Sequence, residues 1–265
     1  MTEPAAGVIG EASRAIELKR RFYVGAGVFV VALAVAGFFP SLIDQSGRNS
    51  SPSLIVIAHG FAAALWLLFF ISQATLVAQG RVAVHRRWGR IGPFLAIIII
   101  VLGYLMVIEG ARRGYDLSGD LARALTPPDA PPLGPTDLAA GILPPLTGFV
   151  TFGLLVGSGL WFRHRSEIHK RLMLLALVPL ASEPLIHLVG YLASHWPNLR
   201  GGALFLLPLQ LLLLFASAIH DKVTSGRIHP VSLLVPFLFL GWLALLNVVV
   251  FPSAAWRELA LRLVQ

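Results

Sequence analysis

"LIVIAHGFAAALWLLFFISQATLVA", residues 54–78, runs from end to end without an Asp, Glu, Lys or Arg. A helix rises 1.5 Å per residue, and ~20 apolar residues cross the hydrocarbon core of a bilayer. This stretch therefore spans a membrane as a helix. Immediately after it comes "QGRVAVHRRWGR" (79–90), with Arg81, Arg86, Arg87 and Arg90, and then a second long apolar run. The same alternation continues along the chain. Seven spans are predicted, over residues 22–43, 54–78, 91–110, 139–162, 172–192, 203–220 and 231–251. The first is too long for the ~7–15-residue core of a secretory signal and reads as a helix.

Composition agrees with this pattern. The 265 residues are 56% hydrophobic and 13% charged, with a mean hydropathy of +0.77, outside the range of soluble domains. Cysteine is absent, which excludes disulfides, thiolate metal sites, iron–sulfur clusters and covalently attached haem. The net charge of +8 sits in loops between spans, where it sets topology and faces anionic lipid, so nucleic acid is not expected as a partner.

The basic residues also orient the chain. Arg14, Lys19, Arg20 and Arg21 share one side with Arg81, Arg86, Arg87 and Arg90, with Arg163, Arg165, Lys170 and Arg171, and with Lys222 and Arg227. Cytoplasmic loops carry the Lys/Arg excess. The expectation is one all-α domain, 1–265, in a bacterial inner membrane, with a cytoplasmic N-terminal tail (1–21) and a periplasmic C-terminus. Residues 111–138 form an outer, proline-rich loop, read as a short helix and an irregular cap. The tail 252–265 can start a helix at Ser253 and place Trp256, Leu259 and Leu263 on one face, as an interfacial helix does.

Within the spans, strongly polar side chains share a depth. His59 lies about 7.5 Å inside the outer end of the second span, and His187 is equally deep in the fifth. Glu183 is one helical turn deeper than His187, in "ASEPLIHLVGY" (181–191), flanked by Pro179 and Pro184. Gln210 is near the middle of the sixth span, Glu109 at the outer end of the third, and Asn247 near that of the seventh. Gln73, near the inner end of the second, is the main exception. Ionisable groups at membrane depth are expensive and point to a function. Irregular backbone, such as the two prolines create, needs protein or a cavity around it.

A common cavity in the outer half is therefore expected. Two imidazoles at equal depth suit the axial positions of haem b. With Glu183 and Glu109 they make a nitrogen–oxygen set for zinc, iron or copper. His59, His187, Glu183 and Glu109 are the candidate metal ligands. Glu183 and Glu109 are also the candidate catalytic, proton-handling groups, and His59, His187 and Gln210 the candidate cofactor contacts. The expected activity is redox or hydrolytic on a small or lipophilic substrate. The alternatives are a carrier binding a quinone or other solute, and an accessory subunit of a larger membrane complex.

A second, inner site is a further candidate. "VHRRWG" (84–89) and "IHKRLM" (168–173) each enter a span from the cytoplasmic side, so the second–third and fourth–fifth hairpins read as a parallel duplication. They carry His85 and His169, and His220 ends the sixth span beside Asp221. Against an inner site, these histidines lie where side chains anchor to headgroups at little cost.

The stretch 59–92 together with "EIHKRLMLL" (167–175) resembles a group of uncharacterised bacterial multi-pass membrane proteins. In that group a histidine and a glutamine on one helix precede an H-R-x-x-G turn, and an H-[RK]-R-x-M turn follows. The matching positions are His59, Gln73, His85, Arg86, Gly89, His169, Arg171 and Met173. The resemblance covers the second to fifth spans and implies a membrane protein without naming an activity. Paired membrane histidines are more distantly similar to four-helix b-type cytochromes, but the spaced pairs that hold two haems are absent.

Overall fold

The computed structural model describes residues 3–43, 50–114, 120–127, 135–202 and 206–265, which form helices and turns with no strand among them. The helices are α1 (Glu3–Ile43), α2 (Leu54–Ala78), α3 (Val82–Trp88), α4 (Gly92–Arg113), α5 (Asp120–Leu125) and α6 (Pro135–Ala140). They continue as α7 (Leu143–Trp161), α8 (Ser166–Leu175), α9 (Leu177–His195), α10 (Leu207–Ser225), α11 (Val231–Leu245) and α12 (Ala254–Val264). α1 carries the N-terminal tail as a continuation of the first span.

Six of these segments are long and apolar enough to cross a membrane: Arg21–Pro40, α2, α3 with α4, α7, α8 with α9, and Val231–Val250. The sixth expected span, 203–220, corresponds to α10, which falls outside this group. Its ends are diluted by Pro208, Gln210, His220, Asp221 and Lys222. Large apolar side chains such as Phe61, Phe94, Leu154 and Val248 stand exposed around the outside, the arrangement a lipid-facing surface requires and water forbids.

Local chemistry explains the helix ends. Ser53 Oγ caps α2 by accepting from Val56 N at 3.4 Å; Ser253 Oγ caps α12 through Trp256 N at 3.2 Å, and of the two only the second is expected from the sequence. α8 and α9 are separated at Ala176. Pro179 has no N–H for the Leu175 carbonyl four residues back, so the helix is interrupted there.

Helices α1, α2, α4, α7 and α9 close a ring, each packed on the next, and α10 and α11 lie outside it against α8 and α9. The core is drawn from the ring and includes Val30, Trp66, Ile99, Phe152 and Leu177. Trp66 meets Phe152 edge-on, with ring centres 5.0 Å apart. The α8–α9 segment is the central element, with 56% of its apolar window buried against 11% for α11.

Two glycines set the crossings. A Cβ on Gly37 of α1 would sit 2.1 Å from the Pro184 carbonyl oxygen of α9, and one on Gly190 would sit 2.0 Å from the Asp120 carbonyl oxygen of α5. Only a residue without a side chain lets these backbones touch. At the far end α12 docks on α4 and α6, where Trp256 Nε1 donates to Ala140 O (3.1 Å) and Arg112 Nε to Val264 O (3.0 Å).

Candidate functional site

The polar residues expected to share one outer cavity are distributed over three places. On α2, His59 lies edge-on to the Phe149 ring, with centres 5.4 Å apart, and close to the Ile99 carbonyl. Phe149 can sit there because Gly103 of α4 leaves the space: a Cβ would fall 2.3 Å from its ring. Glu109 joins α4 to the start of α2, accepting from Ser53 Oγ at 2.7 Å, and pairs with Arg113 one turn on at 3.7 Å. Glu183 and His187 are half-buried on α9. Gln210 is half-buried near the start of α10.

α1 packs against both α2 and α9; His59 meets Ile99 of α4 and Phe149 of α7, while His187 meets Phe38 of α1 and Asp120 of α5. Among the described residues, no group of three or more His, Asp or Glu side chains is placed to hold a metal ion.

What α9 does meet is Asp120, a loop residue that no sequence pattern singles out. It begins α5 in the outer loop and is buried, because α5 lies directly on α9 at Gly190. That contact sets the Asp120 carboxylate beside the imidazole one turn back: His187 Nδ1 is 3.4 Å from Asp120 Oδ2. The Phe38 ring of α1 covers the imidazole, with centres 5.0 Å apart. Asp120 and His187 thus meet towards the C-terminal end of α9, with Glu183 one helical turn before His187. A carboxylate on Nδ1 favours the tautomer that carries its proton there and its lone pair on Nε2.

The opposite, basic end holds a denser network. Arg171 of α8 donates through Nε and Nη2 to the two Asp221 oxygens of α10, through Nε to Ser232 Oγ of α11 (2.9 Å), and through Nη1 to the Glu167 carbonyl (2.6 Å) and carboxylate (2.7 Å). Asp221 also accepts from Ser232 Oγ (2.7 Å) and His229 N (3.2 Å). Burial pushes the Asp221 carboxyl up, but these hydrogen bonds outweigh it and hold the group below its ordinary value. The only sequence signal for this network was opposite charge at the basic ends of two neighbouring spans.

The inner histidines are partly gathered. His85 of α3 and His169 of α8 face each other, with ring centres 6.3 Å apart. His220 instead stacks on Phe22 of α1 at 4.1 Å.

No family model, curated protein or solved structure matches this chain.

Proposed function

We infer that this is a seven-span protein of a bacterial inner membrane, with its N-terminus cytoplasmic, α10 as the sixth span and α12 at the outer interface. Its outer half carries a binding site for a small lipophilic molecule bearing a hydrogen-bond donor, a quinol-type hydroxyl being the simplest. The carrying observation is the His187–Asp120 contact (3.4 Å) over a buried carboxylate. Asp120 orients the ring, His187 Nε2 accepts the ligand's proton, and Glu183 one turn deeper is a second acceptor on the same face. The separation of His59 and Glu109 from α9 favours this carrier-type reading over a four-ligand metal centre.

The test is equilibrium binding of a short-chain quinol to the protein in lipid nanodiscs. Wild type is expected to saturate at one site. Losing one charge-assisted hydrogen bond, worth about 1.5 kcal/mol, would weaken binding roughly tenfold in His187→Ala. Asp120→Asn is expected to lower affinity less. Unchanged affinity in His187→Ala would sink the reading.

A second reading rests on the same contact, since a carboxylate on Nδ1 is also how a metal-bound imidazole is oriented. On that reading zinc, iron, copper or haem b sits on His187 Nε2 and supports redox or hydrolytic chemistry. Elemental analysis separates the two: metal that disappears in His187→Ala favours the second.

A further inference from the structure

We propose that His85 and His169 hold a single copper(I) ion at the basic end of the bundle, with the Gln73 side-chain oxygen beside it. This site is separate from the outer one and does not depend on it. The two turns "VHRRWG" and "IHKRLM" both form short helices, α3 and α8, at the same end of the bundle. Their histidines meet with ring centres 6.3 Å apart and ring planes at 69°.

The hydrogen bonds fix which nitrogen of each ring is available. His169 Nδ1 lies 2.7 Å from the Gly159 carbonyl oxygen. A carbonyl only accepts, so Nδ1 carries the proton and Nε2 the lone pair. His85 faces the Gln73 backbone carbonyl, while its Nδ1 is buried without a hydrogen-bond partner among the described residues. With its proton on Nε2, the ring presents a lone pair on Nδ1. A backbone carbonyl on one imidazole nitrogen is how proteins prepare the other for a metal.

Gln73 adds a third acceptor. The residue is buried at 9% exposure, and its Oε1 has no partner among the described residues. A Cβ on Gly89, in the His85 turn, would lie 3.5 Å from that oxygen. Two lone-pair nitrogens and a lone-pair oxygen, all acceptors, are satisfied together by a cation, whereas leaving buried acceptors empty is costly.

Geometry and charge select the ion. With a metal–nitrogen bond of about 2.0 Å, a ring centre stands roughly 3.2 Å from the metal, so two rings on opposite sides are ~6.4 Å apart. The observed 6.3 Å leaves room for one ion between the two rings, and a pair of imidazole nitrogens is a coordination that a d10 monovalent ion accepts. Arg86, next to His85, repels a divalent ion more than a monovalent one. Met173, one turn beyond His169, packs its sulfur against Gly159, where a Cβ would lie 2.9 Å from it. It is a soft neighbour suited to copper(I).

The experiment is an anaerobic competition for copper(I) between the detergent-purified protein and a chromogenic copper(I) chelator. Wild type is expected to withhold one equivalent. His85→Ala and His169→Ala should each lose it, Gln73→Leu should weaken it at least tenfold, and His195→Ala, at an exposed histidine outside both sites, should leave it unchanged. X-ray absorption on the copper-loaded wild type, which needs no variant to fold, should show two nitrogen neighbours. The proposal is overturned if folded wild type withholds no copper, or if the double histidine variant retains it. Zinc(II) binding as strong as copper(I), or added haem giving a Soret band lost in the same variants, would overturn it equally.

Discussion

Arg171→Ala is expected to destabilise the protein by about 3–5 kcal/mol, the cost of stripping one partner from a buried ion pair. Arg171 is 5% exposed and Asp221 3% exposed. The guanidinium bonds to both carboxylate oxygens and ties α8 to α10 and, through Ser232, to α11. Without it, the hydrogen-bond donors left to Asp221 among the described residues are the Ser232 hydroxyl and the His229 N–H, with His220 Nδ1 farther off at 3.9 Å. Two neutral donors do not replace a charge, so the carboxylate is left buried and uncompensated. The internal control is Arg262→Ala. Its pair with Glu258 spans one turn of α12, with side chains 71% and 67% exposed, and solvent-screened pairs of this kind contribute at most about 0.5 kcal/mol.

The measurement is unfolding by sodium dodecyl sulfate titration in mixed micelles, followed by far-ultraviolet circular dichroism. Adding Asp221→Asn to Arg171→Ala removes the stranded charge, so the double variant should be more stable than Arg171→Ala alone. Arg171→Lys keeps the charge but loses the planar fork and should fall between. If Arg171→Ala unfolds within about 0.5 kcal/mol of Arg262→Ala, or if Asp221→Asn rescues nothing, the network does not hold these helices together.

The Asp221 carboxyl is held below its ordinary value, so its contribution is complete above the usual carboxylate range of about 4 and is lost as pH falls through the lowered folded value. Acid unfolding curves should show this loss in wild type and flatten in Asp221→Asn; identical curves would refute the linkage. Gly37→Ala, whose Cβ would collide with the Pro184 carbonyl, should cost about 1–3 kcal/mol. Gly241→Ala meets open space and should be neutral or stabilising by up to about 1 kcal/mol, so equal effects at the two sites in the same micelle assay would contradict the α1–α9 crossing. Because the chain has no cysteine, Ser194→Cys and Ser166→Cys can be labelled in the native background. A membrane-impermeant thiol reagent applied to whole cells should reach the first and not the second, and the reverse pattern would invert the proposed orientation.

Much of the helical architecture could be read from the chain because it depends on local and solvent physics. An uncharged run such as 54–78 must satisfy its backbone internally in lipid, which makes it a helix wherever it lies. Ser53 and Ser253 start their helices through bonds to residues three positions on, and Pro179 interrupts one through its missing N–H. None of these needs a distant neighbour. Membership of a site is a different quantity. Equal depth did not gather His59, His187, Glu183 and Glu109 into one group, because depth says nothing about rotation about a helix axis. Asp120 reaches His187 across 67 residues of chain because Gly190 lets α5 touch α9. His85 meets His169 because two similar turns fold to the same end. Spacing along one helix fixes which residues share its face; which face meets which neighbour is settled by how the helices pack, and only the tertiary structure holds that information.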